Sequence, residues 1–164
     1  MFYRRKIILA LLEVFGGKLD KISLQKLLFL FTLRQAARAY DFIPYLYGCF
    51  SYSASADIRA MVGKGLLKET ETHFNRTGRT GYLDSLRGDD GEHLAHIKNV
   101  YGQMDANALM KYTYINHPYW AINSIKAKLI LSEGEFNVVQ SSKPDGKATV
   151  LFTIGYEGIS LEEY

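Results

Sequence analysis

The sequence predicts an α+β fold that is mostly helical, and three observations lead to this prediction. Apolar residues recur at helical spacing in three segments of the N-terminal half. Two short β-prone segments follow the third of these helices. Near the C-terminus, a β-branched apolar run, a glycine turn and a capped helix start follow one another, as in the first half of a βαβ unit.

Composition bounds the class of protein. The 164 residues are 48% hydrophobic and 13% aromatic, enough for one domain with a core and a fragment of another. The longest apolar run, residues 7–12, is far shorter than the roughly 20 residues of a membrane helix, and the N-terminus lacks a signal-peptide layout. A single cysteine, Cys49, excludes an internal disulfide and fits a reducing compartment. We therefore expect a cytoplasmic protein with no membrane partner.

The first two helices are predicted from apolar periodicity and from end signals. Helix one carries apolar residues at helical spacing and stops at the pair Gly16 and Gly17. Ser23 is predicted to cap helix two, with Ile22 and Leu27 forming a hydrophobic staple. Helix two is expected to reach about residue 39 and to direct its apolar face into the core.

The third helix follows an aromatic connector. Residues 42–50 are interrupted by Pro44 and Gly48, which predicts a packed connector or a short strand. Ser53 or Ser55 is then predicted to cap helix three, which ends near residues 63–65. The inward side of this helix is assigned to Ile58, Met61 and Val62.

A hairpin is predicted after helix three. Residues 66–74 and 80–83 are expected to pair as a two-stranded wing with its tip at residues 75–79. Two helices, a third short helix and a hairpin, in that order, describe a winged helix. We therefore assign residues 1–88 to a winged-helix-like module.

In a winged helix the third helix usually enters the major groove of DNA, with the hairpin beside the backbone. Residues 1–82 carry 13 Lys and Arg against 6 Asp and Glu, whereas residues 83–164 carry 7 Lys and Arg against 11 Asp and Glu. The basic N-terminal half suits binding of a polyanion, or it is simply a charged face in contact with water. Candidate DNA contacts on helix three and the wing are Ser51, Ser53, Ser55, Arg59, Lys64, Arg76 and Arg79. Asp57, Glu69 and Glu71 would repel phosphate, which leaves pure protein contact open.

The same region offers a candidate protein-binding patch. Ala56, Ala60 and Gly63 are small residues on the outward side of helix three. Tyr45 and Tyr47 of the connector would lie beside them if the connector packs near that helix. Small and aromatic residues that can be desolvated together are typical of interface cores.

The N-terminal module resembles a known family. The motif LQKLL at residues 24–28 and the motif PYLYGC at residues 44–49 are similar to the Leu-Gln-Lys-Leu-Leu and Pro-x-x-Tyr-Gly-Pro signatures of the Panacea, or SocA-like, antitoxin domain. The likeness covers roughly residues 5–70, and Cys49 stands where that family usually has proline. The resemblance implies a module that binds and neutralises a toxin protein or serves as a regulatory adaptor, without catalysis.

The C-terminal segment resembles a different family. TIGYEGISLEE at residues 153–163 is similar to the opening motif of the bacterial domain-of-unknown-function family 488, of which only the first strand and turn are present. We therefore expect a truncated α/β domain start at residues 149–164, joined by a turn-rich linker at residues 141–148. The chain would then be the N-terminal regulatory module of a longer bacterial protein, and any enzymatic activity would belong to the missing part.

Residues 89–140 are predicted to form a helical extension that braces the module. His93 and His96, three residues apart, share a helix face and follow Glu92, but no Cys or further His is suitably spaced, so we predict no metal site. We also find no catalytic constellation and no cofactor motif.

Two functional hypotheses follow for this fragment, and an enzyme fragment is a remote third. The first is a winged-helix regulatory module that binds duplex DNA. The second is an antitoxin-like adaptor that recognises a toxin protein or its own missing C-terminal domain. The sequence leaves a homodimer open.

Overall fold

The computed structural model of the protein describes residues 1–78 and 81–145. The N-terminal elements, in order, are α1 (Tyr3–Val14), β1 (Lys18–Asp20), α2 (Lys21–Thr32), β2 (Ile43–Tyr45), β3 (Gly48–Phe50), α3 (Tyr52–Gly63), β4 (Leu67–Glu69) and β5 (His73–Arg76). After a 3₁₀ helix at Leu83–Ser85 come α4 (Asp90–Tyr101), α5 (Ala106–Asn116), a 3₁₀ helix at Pro118–Ala121, α6 (Ala127–Ile130) and α7 (Glu133–Ser141). The predicted mostly helical α+β class is confirmed.

Helix α1 ends where the glycine pair predicts. Gly16 and Gly17 both adopt left-handed φ angles, 80° and 84°, which residues with a side chain rarely adopt. The Gly17 N–H donates to the Leu12 carbonyl at 2.7 Å, which satisfies one of the free carbonyls at the helix end. This turn leads directly into β1, a three-residue strand that was not predicted.

Helix α2 lies at the centre of the core and begins earlier than predicted. The prediction of Ser23 as N-cap is wrong: the Asp20 carboxylate takes that role and accepts a hydrogen bond from the Ser23 N–H at 2.8 Å. The helix ends at Thr32 and not near residue 39. After it, the N–H groups of Arg34 and Gln35 donate to the carbonyls of Phe31 and Thr32, three residues earlier, which is the hydrogen-bond pattern of a 3₁₀ turn. Apart from the half-buried Ile22, its apolar side chains are buried on every side, namely Leu24, Leu27, Leu28, Phe29, Leu30 and Phe31.

The aromatic connector forms a β-hairpin. Strands β2 and β3 pair antiparallel, with Ile43 opposite Phe50 and Tyr45 opposite Gly48. Directly opposite residues share a face of the sheet, so Ile43, Tyr45 and Phe50 lie on the same side.

The cap of helix α3 also differs from the prediction. Ser51, rather than Ser53 or Ser55, is the N-cap, and its Oγ accepts from the Ala54 N–H at 3.2 Å. Ser51 has the extended backbone that a cap requires because it comes directly after β3. The predicted end of the helix agrees with the structure, since α3 stops at Gly63.

The wing is present, but its predicted strands and tip are wrong. Strands β4 and β5 form the hairpin, and its tip lies at residues 70–72 instead of 75–79. Residues 81–83 are not a strand, because β1 occupies the other edge of β5 and gives the sheet order β1-β5-β4. The Thr70 N–H bonds to the His73 carbonyl at 2.9 Å and closes the true tip.

The helical extension shares its core with the N-terminal module. Leu94, Ile97, Tyr101 and Leu109 belong to one buried cluster with α1, α2 and α3. A second buried cluster lies among α5, α6 and α7, with these members: Met110, Tyr114, Ala121, Ala127, Leu131 and Val139. Residues 146–148 of the predicted linker and the whole predicted tail, residues 149–164, lie outside the described residues, while Ser141 at the start of that linker is the last residue of α7.

A buried ion cluster ties α3 to the start of α1. The Asp57 carboxylate is 1% exposed and accepts from the Arg4 Nε at 2.5 Å, the Arg5 Nε at 2.6 Å and the Tyr40 hydroxyl at 3.2 Å. Burial raises the pKa of Asp57, but the hydrogen bonds and charges of the two arginines outweigh burial and leave that pKa below its usual value. The expected repulsion of phosphate by Asp57 therefore does not apply, since its charge is neutralised inside the protein.

We predict that Asp57→Asn lowers the free energy of unfolding by about 3 kcal/mol at pH 7, because it removes the buried carboxylate to which two guanidinium groups donate. Urea denaturation measures this loss. The contribution of Asp57 is fully present above its unfolded-state pKa of about 4 and is lost as pH falls through the lower folded-state pKa. The gap between wild type and variant should therefore close in acid. The exposed Asp41→Asn is the control, and equal effects of the two variants at pH 7 would contradict the assignment.

Candidate functional site

Two polar side chains of the LQKLL segment hold hairpin β2–β3 on α2. The Gln25 Oε1 accepts from the Ser51 N–H at 3.1 Å, just beyond β3. The Lys26 Nζ donates to the carbonyl oxygens of Tyr47 and Cys49 at 2.5 and 3.1 Å. The two motifs that suggested a family resemblance are therefore in direct contact with each other.

Lys26 is a buried cation. Its side chain is 1% exposed, and no carboxylate in the described part of the chain lies within salt-bridge distance of it. Burial lowers the pKa of Lys26, while the neighbouring Cys49 opposes that shift. Burial likewise raises the pKa of the Cys49 thiol. The two hairpin carbonyls thus provide the negative dipoles that stabilise the ammonium.

Gly48 allows the hairpin to approach α5. Its φ angle is 86°, and a Cβ atom at this position would lie 2.5 Å from Cε1 of Tyr114. Tyr114 is itself buried and shares a hydrogen bond of 2.7 Å with the Ser124 hydroxyl, and burial raises the pKa of Tyr114 to about 12. A glycine is therefore required both by the backbone and by the space.

The turn and the outer strand of the hairpin are anchored as well. The Ile125 N–H donates to the Leu46 carbonyl at 3.1 Å, and the Asn123 side chain donates to the Pro44 carbonyl at 3.1 Å. The hairpin is consequently fixed on three sides, by α2, by α5 and by residues 123–125.

The anchored hairpin presents apolar side chains to solvent. We call this the hairpin surface, and it consists of Ile43, Tyr45, Leu46, Tyr47, Phe50 and Tyr52. Except for the half-buried Phe50, these side chains are 37 to 58% exposed. Ring centroids of Tyr45, Phe50 and Tyr52 lie 5.0 to 5.9 Å apart, so the three aromatic rings form one continuous cluster.

A groove of about 650 Å³ adjoins the hairpin surface. Apolar walls come from the hairpin and from Ile22 of α2, and Ala106 closes the groove at the start of α5. Lys26 lies at its buried side, and Glu71 and Thr72 of the wing tip form part of its rim. The groove therefore connects the hairpin with the wing.

Helix α3 begins at the hairpin surface, to which its first residue, Tyr52, belongs. Tyr45 contacts Tyr52, the first residue of α3, with ring centroids 5.9 Å apart. Ala56 and Gly63 are exposed further along the helix, whereas Ala60 is half-buried. Tyr47 is exposed at the turn of the hairpin, beside the groove.

The predicted DNA contacts on α3 differ in accessibility. Arg59 and Lys64 are exposed. Ser51 is buried, and its hydroxyl caps the helix and bonds to the Ser53 hydroxyl at 3.1 Å, so both hydroxyls have partners inside the protein. Ser55 is half-buried.

Of the two predicted wing contacts, Arg76 does not lie at the wing tip. Arg76 is half-buried at the end of β5, where its guanidinium donates to the Gly78 carbonyl at 3.5 Å. Arg79 lies outside the described residues. Glu71 lies at the tip itself, and Glu69 at the end of β4 pairs with Lys21 at 2.6 Å. The tip therefore presents a negative charge, unlike a wing adapted to phosphate.

Sequence reasoning missed four members of the hairpin surface: Ile43, Leu46, Phe50 and Tyr52. The alternation of Ile43 and Tyr45 carries the signal for one exposed strand face, once the strand is recognised. The roles of Gln25 and Lys26 had no local signal, because they depend on contacts with residues more than 20 positions away.

Comparisons with protein-family models, curated proteins and solved structures gave no match to this chain. Within the described ranges, none of the helices has the length and apolar character needed to span a bilayer. In the same residues, no three His, Cys, Asp or Glu side chains converge in a way that could hold a metal ion.

We predict opposite effects of alanine at two glycines of this region. Gly48→Ala should destabilise the protein by about 2 kcal/mol or more, because it adds left-handed backbone strain and a clash with Tyr114. Gly63→Ala should stabilise it by about 0.5 to 1 kcal/mol, because Gly63 is helical and a Cβ atom there meets open space. Thermal and urea unfolding measure both. Equal changes in the two variants would contradict the close packing of the hairpin on α5.

Proposed function

We propose that this chain is a regulatory binding module that recognises a protein partner through the hairpin surface and the adjoining start of α3. The observation that carries the proposal is the continuous exposure of Ile43, Tyr45, Leu46, Tyr47 and Tyr52. Clustered exposed apolar side chains mark interaction sites, and tyrosine is among the residues that contribute most to binding energy. This is the adaptor function that the resemblance to the Panacea, or SocA-like, domain implies.

The anchoring of the hairpin supports this function. Lys26, Gln25 and Asn123 bond to or beside the hairpin backbone rather than to its exposed side chains. The aromatic side chains are therefore held in place by groups that a partner need not touch. A surface that is already ordered loses less conformational entropy when it binds.

The groove next to the hairpin surface adds a feature that a partner can use. Its walls are mainly apolar, and it opens between the hairpin and the wing tip. An apolar side chain of the partner could be desolvated there, while Tyr45 and Tyr47 cover its edges. This combination of a pocket with surrounding aromatic side chains is typical of binding hot spots.

Site-specific photo-cross-linking tests this proposal. A benzophenone amino acid placed at Tyr52 should yield one major protein adduct in cells of the native host. The same group at Val100 of α4, which is 43% exposed, is the matched control and should not yield that adduct. A common adduct at both positions would contradict binding through the hairpin surface.

Once that partner is identified, its affinity provides a second test. Tyr52→Ala should weaken binding at least tenfold, or about 1.4 kcal/mol, because it removes a central aromatic side chain. Val100→Ala removes a similarly exposed apolar side chain and should leave the affinity unchanged. Ala56→Trp, four residues from Tyr52 on the same helix face, should block docking by its bulk. Ala56 is a better site than the half-buried Ala60, where tryptophan could disturb the fold.

A second candidate function is DNA binding by α3, favoured by two observations. Arg59 and Lys64 are exposed on that helix, and Asp57 on its inner side is neutralised by Arg4 and Arg5. The outer face of α3 therefore carries positive charge without the expected opposing carboxylate. Because the wing tip is acidic, we rank DNA binding below protein binding.

Duplex DNA titrations at several salt concentrations test the second candidate. If α3 contacts phosphates, log affinity should fall with log salt at a slope near −0.9 for each contact. Arg59→Gln and Lys64→Gln should each reduce that slope by about 1. Lys128→Gln, which removes an exposed charge from α6, is the control. No binding at low salt would eliminate this candidate.

A further inference from the structure

A second cleft lies apart from the hairpin surface and shares no lining residue with the groove beside it. Its volume is about 900 Å³, within the range of small-molecule sites. Residues from three segments line it: 2–4 at the start of α1, 34–37 and 39 after α2, and 87–90 and 93 at the start of α4.

Hydrogen bonds join these three segments to one another. The Asp90 carboxylate accepts from the Tyr3 hydroxyl at 2.7 Å and from the Gln35 Nε2 at 3.0 Å. The Tyr3 oxygen in turn accepts from the Arg87 N–H at 2.7 Å. The walls are therefore tied together before any ligand enters, which makes the cleft a pre-formed site.

Two arginines in the cleft have no acidic partner. The side chains of Arg34 and Arg87 are exposed, and no carboxylate of the described residues lies within salt-bridge distance of either. The Arg87 guanidinium lies 4.7 Å from the centroid of the Tyr3 ring. The ring restrains the guanidinium by a cation–π contact, which leaves the N–H groups at the guanidinium edge able to donate to a ligand. Arg4 also lines the cleft, but its charge is engaged by Asp57. Arg34 and Arg87 can thus bind an anionic group such as phosphate.

The start of α4 contributes acidic groups to the same side. Asp90 and Glu92 lie in its first turn, and its N-cap residue, Asp89, makes no side-chain cap hydrogen bond. The Nδ1 atom of His93 is buried 3.8 Å from the Asp90 carboxylate. Anion binding in the cleft therefore depends on the arginines and not on this helix end.

Other lining groups suit a flat body attached to the anion. Phe2 is 64% exposed, with the Arg5 guanidinium 5.1 Å from its ring centroid, and Ala36, Ala37 and Gly88 are small residues of the same lining. The exposed Asp89 carboxylate can accept hydrogen bonds from amino or hydroxyl groups. Asp89 and Asp90 also offset part of the arginine charge, so the cleft disfavours a bare anion.

We propose that this cleft binds a mononucleotide. Its phosphate would bind to Arg34 and Arg87, its base would pack on Phe2, and its hydroxyl or amino groups would donate to Asp89. A mononucleotide combines an anionic group, a planar ring and hydrogen-bond donors. The lining of the cleft complements each of these three features. This site is independent of the partner surface proposed above.

Calorimetric titration of the full chain tests the assignment. Adenosine, guanosine, cytidine and uridine monophosphates should be compared with the free nucleosides and with inorganic phosphate. At least one nucleotide should bind ten times more tightly than both its nucleoside and phosphate. If none of the four nucleotides reaches saturation at millimolar concentration, or if phosphate alone binds equally well, the proposal is wrong.

Charge-neutral variants locate the site. Arg34→Gln and Arg87→Gln should each weaken nucleotide binding at least tenfold, with melting temperatures unchanged because both side chains are exposed. Arg38→Gln is the matched control, since Arg38 is an exposed arginine of the same segment that does not line the cleft. Asp89→Asn should weaken binding of the nucleotide and strengthen binding of inorganic phosphate. An equal loss in the Arg38 variant would show a general charge effect and overturn the proposal.

Discussion

The ammonium of Lys26, buried under hairpin β2–β3 and bonded to two of its carbonyls, is the interaction on which the exposed apolar surface depends. Removing such a charge from water costs several kcal/mol, and only acceptors of good geometry offset that cost. The carbonyls of Tyr47 and Cys49 meet this need only when the hairpin is in place. The position of the hairpin and the burial of the lysine therefore depend on each other.

The parts of the fold that were predicted correctly are those set by local patterns. Helix α1 follows its apolar spacing and stops at Gly16 and Gly17, because left-handed backbone is encoded by the residues themselves. The cap of α2 was misplaced because Asp20 and Ser23 are both good cap residues. Strand β1 ends at Asp20, so this residue has the extended backbone of an N-cap directly before the helix. The wing was misplaced because pairing of β5 with β1 is a long-range contact that no local pattern encodes.

The candidate site shows the same division. The exposure of Arg59, Lys64 and Ala56 followed from helical periodicity, since the opposite side of α3 carries Ile58 and Met61. Exposure of the hairpin rings could not be read in this way. It depends on contacts with α2 and α5, which turn one strand face toward solvent and bury Cys49 on the other.

The contact between Gly48 and Tyr114 links the hairpin to the second buried cluster, more than sixty residues further along the chain. Under the proposed function, genetic selections for loss of partner recognition should therefore return two kinds of alleles. One kind would alter exposed rings, and the other would alter buried residues of α5 or α2 that never meet the partner. A map of such alleles drawn on the surface alone would understate the site, because the residues that position the hairpin lie in the interior.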